Sequence, residues 1–424
     1  MPTATRLRHV LFPIFLLAAC RSGTTAPGDA GAPDGAVDMS AASDLSSVFV
    51  PDGGVLAVPL TGCYNTHLLP VTIGGNQTFQ LNVDTGSASL GVAAAGCTGC
   101  QDNGVSTLYA PGPQAKDLSM KVSSTYDTGE LGWSGEGYQD LVAIGGVSTE
   151  LDFAAITSQN SYFFANSCDT PSGEVPAQYD GIIGFGPPSL LVAGTTSFLD
   201  QIQHAGKIDD VFALSFCHGG GTLWLGGYDE SALAAPAQFV PMTTTDGYEV
   251  AWNGITVQAP DGDAGAGTAV SLPAGTQALT DSGGVEWILP EPAFTQVAAA
   301  INGDPAFQSI FGASFLTTSA SAEMNCRTLT QKPSELDALL PSLTLQLGDA
   351  SHAVEVTLPA SVSYLIYSYG DNGSVTYCQD LIDGTTAGYT IYYVGQSVMA
   401  NRVLIMDVAH QQMGFAERKE PCAF

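Results

Sequence analysis

Asp84 ends an apolar stretch and precedes Thr85 and Gly86 in "LNVDTGSASLGV"; Asp281 stands the same way before Ser282 and Gly283 in "ALTDSGGVEWILP". Two carboxyls presented on turns can do general acid/base work if the fold brings them together. Like charges a few ångströms apart do not both ionise readily, so such a pair holds one proton between its members. One carboxyl can then take a proton from water while the other gives one to a carbonyl or a leaving amine. The pair titrates as a unit, and its pKa values belong to both residues. Gly86 and Gly283 permit tight turns and close backbone approach. Either turn alone reads as structural, and it is the pairing that points to catalysis. A third Asp-Thr-Gly, at Asp127, follows the largely polar "KVSSTY" and reads as a hairpin residue.

Positioning the two aspartates requires two similar units. Asp84 is followed much later by Asp180-Gly181-Ile182-Ile183-Gly184, and Asp281 by Tyr392-Tyr393-Val394-Gly395. Each half of the chain thus pairs a strand ending in Asp-hydroxyl-Gly with a distant apolar-apolar-Gly segment. The aspartates are 197 positions apart, so two β lobes related by a pseudo-two-fold axis would bring them together. Runs such as "LPVTIGGNQTFQLNV", "GTLWLGGY" and "HAVEVTLP" alternate and break at Gly, Asn and Pro, which is a mainly β pattern rich in hairpins. Helical periodicity is confined to short pieces such as "EPAFTQVAAAI".

The 424 residues include 11 basic and 41 acidic side chains, a balance that argues against nucleic acid and against basic-patch adhesion to anionic lipid. Residues 1–19 have basic Arg6 and Arg8, then a short apolar run, and read as a signal peptide. Leu17-Ala18-Ala19-Cys20 resembles the lipobox of bacterial lipoproteins, which implies lipidation of Cys20 and an exported protein, with Arg21-Ser22 favouring the outer membrane. Residues 20–57 are small and polar and read as a flexible tether rather than an inhibitory prosegment. Nine cysteines minus Cys20 leave eight, an even set for an oxidising compartment. Cys97 and Cys100 have the spacing of a zinc half-site or redox pair, but no second close pair completes a metal site. No metal and no cofactor are expected.

Six stretches in register resemble the pepsin-like aspartic proteases: "LNVDTGSASLGV", "STYDTGELGWSGEGYQDLVAIGG", "YDGIIGFG", "LWLGGYD", "ALTDSGGVEWILP" and "YYVGQSVMANRVLIMDVAHQQMGFAE". The resemblance implies a mainly β, bilobal fold, with an N-terminal lobe over 58–236, a C-terminal lobe over 237–424 and a cleft between them. It implies a monomeric aspartic endopeptidase acting on extended polypeptides, with Asp84 and Asp281 catalytic. By the same resemblance Thr85 and Ser282 brace the two turns, Ser87 supports the first carboxylate, and Tyr126 lies on a hairpin flap that Trp133 shares. The disulfides it implies are Cys97–Cys100, Cys326–Cys378 and Cys217–Cys422, which leaves Cys63 with Cys168. Two departures stand out: Gly91 replaces a tryptophan common near the flap, and Gly284 replaces a hydroxyl after the second turn. The missing hydroxyl leads us to expect a less acidic optimum, because one donor to a carboxylate is lost. Glu286 adds a third carboxylate nearby, read as an exposed residue. A catalytically silent binding or inhibitor protein of the same fold is the alternative, which the two intact turns weigh against.

Overall fold

Short alternating runs punctuated by turn residues fold as strands throughout the chain. The computed structural model describes residues 54–63, 66–100, 105, 107–126, 131–160, 163–164, 180–217, 220–260, 267–317, 325–370, 373–389, 391–420 and 422. The signal-like segment, Cys20, most of the tether, Asp127 and Cys168 lie outside these residues. The side chain of Cys63 lies outside them too, and with it the Cys63–Cys168 pairing.

The first half contains β1 (Leu56–Cys63), β2 (Thr66–Ile73), β3 (Gln77–Asp84), β4 (Leu90–Thr98), β5 (Lys116–Tyr126), β6 (Leu131–Ile144), β7 (Val147–Gln159) and β8 (Gly181–Gly184). Helix α1 (Phe198–His204) follows, its first turn capped by the Ser197 hydroxyl accepting from Asp200 N–H. Next come β9 (Val211–Cys217), β10 (Gly220–Leu225), β11 (Gln238–Pro241), β12 (Glu249–Gln258), β13 (Thr268–Ser271), β14 (Gln277–Thr280) and β15 (Trp287–Leu289). Helix α2 (Glu291–Gly303) buries Phe294, Val297 and Ile301 on one face. The chain ends through β16 (Cys326–Leu329), β17 (Ser342–Gly348), β18 (Ala353–Leu358), β19 (Leu365–Tyr369), β20 (Val375–Gln379), β21 (Leu381–Asp383), β22 (Tyr393–Val394), β23 (Arg402–Asp407) and β24 (Gln412–Glu417).

Among the described residues the largest sheet runs β11-β24-β23-β9-β10-β1-β2-β3-β8-β4-β7-β6-β5. A second runs β18-β17-β12-β14-β22-β15-β21, and β16-β20-β19 form a small third. The fold is mainly β, as expected. The large sheet crosses the boundary expected near residue 237, because β23 pairs with β9 of the first half and carries β24 and β11 on its other edge. The cause is local: "RVLIMD" in β23 is buried at every position, so it needs a neighbour on each edge and cover on both faces. It obtains these by pairing with β9 and β24. One continuous apolar core connects the two halves, and a satellite cluster of Leu68, Val122, Trp133, Ile156, Phe163 and Phe164 lies under the β5–β6 hairpin.

The duplicated sequence pattern becomes a duplicated strand arrangement. β3 runs parallel to β8, with Asp84 opposite Gly184, and β4 packs antiparallel on the other edge of β8. β14 runs parallel to β22 and β15 pairs antiparallel with β22, so the same three-strand unit recurs. The glycine ending each apolar-apolar-Gly segment passes beneath the loop that follows the aspartate turn. A Cβ on Gly184 would lie 2.5 Å from the backbone of Ala88, and one on Gly395 2.5 Å from the Val285 carbonyl oxygen. Ala88 and Val285 each stand four positions after their aspartate. Gly184→Ala should therefore cost about 1–3 kcal/mol through overpacking against backbone that cannot yield. Urea denaturation monitored by circular dichroism would measure it, with Gly284→Ala, whose Cβ meets only a 3.4 Å contact, as the tolerated control.

Candidate active site

Asp84 leaves the end of β3, and Asp281 follows β14 directly, its N–H donating to the Val394 carbonyl at 3.4 Å. Both turns fold back on their own carboxylate: Gly86 N–H donates to Asp84 Oδ1 and Gly283 N–H to Asp281 Oδ1, each at 2.8 Å. Between the turns lies a symmetric set of buried bonds. Thr85 N–H donates to Ser282 Oγ at 2.9 Å, and Ser282 N–H donates to Thr85 Oγ1 at 2.9 Å. The hydroxyls in turn donate across to backbone, Thr85 to the Thr280 carbonyl and Ser282 to the Val83 carbonyl, both at 2.8 Å. Each hydroxyl thus accepts one bond and donates one, and no polar group at this junction is left unsatisfied.

This bracing presses each carboxyl against the opposite glycine. A Cβ on Gly86 would lie 2.6 Å from Asp281 Oδ2, and one on Gly283 2.5 Å from Asp84 Oδ1. Any side chain at either position would separate the carboxyls, which are hydrogen-bonded to each other. Burial is the main force raising both pKa values. For Asp281 burial and the neighbouring Asp84 charge push it up to about 8. Asp84 has additional hydrogen-bond donation, above all from the Ser87 hydroxyl to Oδ2 at 2.5 Å, which favours its charged form. The proton shared by the pair therefore resides on Asp281.

The first carboxyl continues into a network on the β5–β6 hairpin. Ser87 and Tyr126 interact through their hydroxyls, and Trp133 Nε1–H donates to Tyr126 Oη at 3.1 Å. Burial and the Asp84 charge push the Tyr126 hydroxyl up to about 12, so it stays protonated. Phe163 stacks on the Tyr126 ring at 5.6 Å, a buttress for which the sequence carried no signal. Trp133 also accounts for Gly91. A Cβ at Gly91 would lie 3.3 Å from Trp133 Cζ2, so the indole occupies the space that a large residue at 91 would fill. The aromatic cover over this side of the site therefore comes from the hairpin itself.

The second carboxyl is more open. Gly284 supplies no hydroxyl, and a Cβ there would lie 3.6 Å from Asp281 Oδ2 and 3.4 Å from the Tyr393 ring. Tyr393, edge-on to Tyr389 with ring centroids 6.1 Å apart, lies on the same side of Gly284 as this carboxyl, a neighbour that sequence reasoning did not single out. Cysteine pairs Cys97–Cys100, Cys217–Cys422 and Cys326–Cys378 are bridged, the last between directly opposed positions of β16 and β20. Among the described residues no group of His, Cys, Asp or Glu is placed to hold a metal ion.

A bilobal β fold with one aspartate turn from each half at the junction defines a class of protein, and sequence comparison places the chain in it. The eukaryotic aspartyl protease family model matches residues 66–418, and the chain belongs to that family. It is 28% identical over 250 residues to an aspartic protease of Phaffia rhodozyma, covering 58% of this chain and 56% of that one. It is 30% identical over 278 residues to rhizopuspepsin of Rhizopus chinensis, covering 60% and 63%. With pepsin A of Sus scrofa the identity is 24% over 350 residues, covering 80% and 78%. The chain thus spans only about half to three-fifths of the length of several curated relatives that it matches.

Two outcomes follow from this geometry. Trp133→Phe keeps most of the packing at Gly91 but removes the donor to Tyr126, and should cost about 1 kcal/mol in urea denaturation. Trp133→Ala should cost about 3–5 kcal/mol by opening a cavity. Gly284→Ser places a donor beside Asp281, stabilises its charged form and should move the upper ionisation of the pair to lower pH. Carbon-13 NMR of the aspartate carboxyls would follow this titration, and an unmoved upper step would contradict it.

Proposed function

We propose that the chain is an aspartic-type endopeptidase that hydrolyses extended polypeptides by activating water between Asp84 and Asp281. The observation that carries this reading is the carboxyl–carboxyl hydrogen bond held at the braced junction of the two turns. Ionised Asp84, favoured by Ser87 and Gly86, takes a proton from a water as its oxygen bonds to the scissile carbonyl carbon. Asp281 gives its proton to the carbonyl oxygen, so the charge developing there is neutralised. The tetrahedral diol then collapses: Asp84 gives the proton it took to the leaving nitrogen, the C–N bond breaks, and Asp281 takes a proton back from a diol hydroxyl, so the pair again holds one proton. Tyr126, kept neutral and steered by Trp133 and Phe163, covers the side of the cleft nearest Asp84.

The two-lobe division, one aspartate turn per lobe, belongs to this proposal, as does action as a monomer. So does export as a lipid-anchored protein of an outer membrane, supported by the signal-like residues 1–19 and the lipobox-like sequence before Cys20. Asp84→Asn and Asp281→Asn should each lower kcat by about 10²–10⁴-fold on a peptide that the wild type cleaves, with folding preserved by circular dichroism. Equal rates in wild type and both variants would end the protease reading.

A further inference from the structure

The dyad is not the only place where carboxyls meet. Asp380, between β20 and β21, is 1% exposed, and neither of its carboxyl oxygens has a hydrogen-bond partner among the described residues. A buried carboxylate without partners is very costly, so this group is held neutral. Its backbone is fixed: its N–H donates to the Tyr364 carbonyl, and its carbonyl accepts from Trp287 N–H, both at 3.0 Å. β15 and β21 are parallel, with Trp287 opposite Leu381, which brings Glu286 alongside Asp380 one residue earlier. Trp287 and Leu381 point into the core, so the two acids share the other face of the strand pair. Glu286 is half-buried, which corrects the expectation that it is exposed.

The surroundings show which charges matter. Tyr364 packs beside Asp380 but donates its hydroxyl to the Pro341 carbonyl, and Asp383 accepts from Thr386 at the start of the short helix Gly384–Ala387. Among the described residues the one charge acting on Asp380 is that of Glu286. Burial first, and then that negative charge, hold Asp380 well above the ordinary carboxylate range.

β15 is linked to the catalytic turn. Trp287 pairs with Val394 of β22, its indole N–H donates to Ser397 Oγ, and Gln396 N–H donates to the Gly284 carbonyl at 2.9 Å. Displacing β15 would therefore shift Gly284 and Gly283, the residue packed against Asp84. We propose that Glu286 and Asp380 form a second coupled carboxyl pair, in which Asp380 keeps its proton and Glu286 bears on it by charge; the pair positions the Asp281 turn while Asp380 is protonated and loosens that turn when pH rises. The proposal extends the dyad reading, but its primary measurement does not depend on catalysis.

The sign follows from linkage. A carboxyl raised on folding gives full stability below its unfolded pKa, where both states are protonated. As pH rises above that value only the unfolded chain ionises, and stability falls until the folded group ionises too. Thermal unfolding of the full chain would be compared from about pH 4 to about pH 8 for wild type, Asp380→Asn and Glu286→Gln. At the acid end Glu286→Gln should unfold within a degree or two of wild type. At the upper end both variants should have lost less Tm than wild type, by about 3 °C or more. The upper limb of kcat/KM for peptide cleavage should also move to higher pH in both, which a purely structural role would not produce. Tm profiles parallel to wild type in both variants would overturn the proposal. If Asp380→Asn does not fold, Glu286→Gln decides, since it removes only the repulsion. A wild type that cleaves no peptide would count against the protease reading, while the thermal comparison would still decide this one.

Discussion

Everything at the centre of this molecule depends on holding two carboxyls against each other in a buried place. That contact is unfavourable while both are charged, and burial makes it more so. It persists because Thr85 and Ser282 tie the two turns together reciprocally, with every backbone and hydroxyl group between them bonded. The turns themselves are carried by β3 and β14, each locked in parallel to a short apolar strand. The glycines at 86 and 283 are steric requirements, because a Cβ at either would occupy the space of the opposing carboxylate. Sharing one proton is the remaining way to relieve the repulsion, and the property that makes the pair chemically useful is thus forced by its packing.

Much of this was legible in the sequence because the constraints act on residue type. Apolar-apolar-Gly recurs since Gly184 and Gly395 must pass beneath equivalent loops, and no larger residue fits. The aspartate turns recur since each needs a hydroxyl for the brace and a glycine for the close approach. Other features left no local signal. The sheet that unites β9 with β23 and β24 joins segments nearly two hundred residues apart, and the buried run in β23 shows only that some partner exists. Phe163 against Tyr126 is a packing outcome of the satellite cluster. Glu286 seemed exposed because its neighbour Asp380 lies almost a hundred positions away, brought alongside only by the β15–β21 register.

The departure at Gly91 shows how an absence in one strand can be explained from another. Viewed along the sequence, a glycine where bulk is common reads as a gap beside the flap. In space the gap is filled by Trp133, which also donates to Tyr126. With the indole on β6, its hydrogen bond to Tyr126 lies within the hairpin, while its packing against Gly91 reaches across to β4. The socket at Gly91, rather than the Tyr–Trp contact, is what joins the hairpin to β4.

The duplicated halves are not equivalent, and the asymmetry falls on the two carboxyls. Both receive a backbone N–H from the glycine of their own turn, at the same 2.8 Å. The difference is the Ser87 hydroxyl on Asp84, where the corresponding position near Asp281 is Gly284. A hydroxyl donor to one carboxylate and none to the other breaks the symmetry of the pair and favours the charge on Asp84. Under the proposed mechanism this difference is what would set a base apart from an acid within a pair of identical side chains. The glycine that first looked like a missing part at the second turn leaves Asp281 without the hydroxyl donor that Asp84 has, while burial and the neighbouring Asp84 charge raise it.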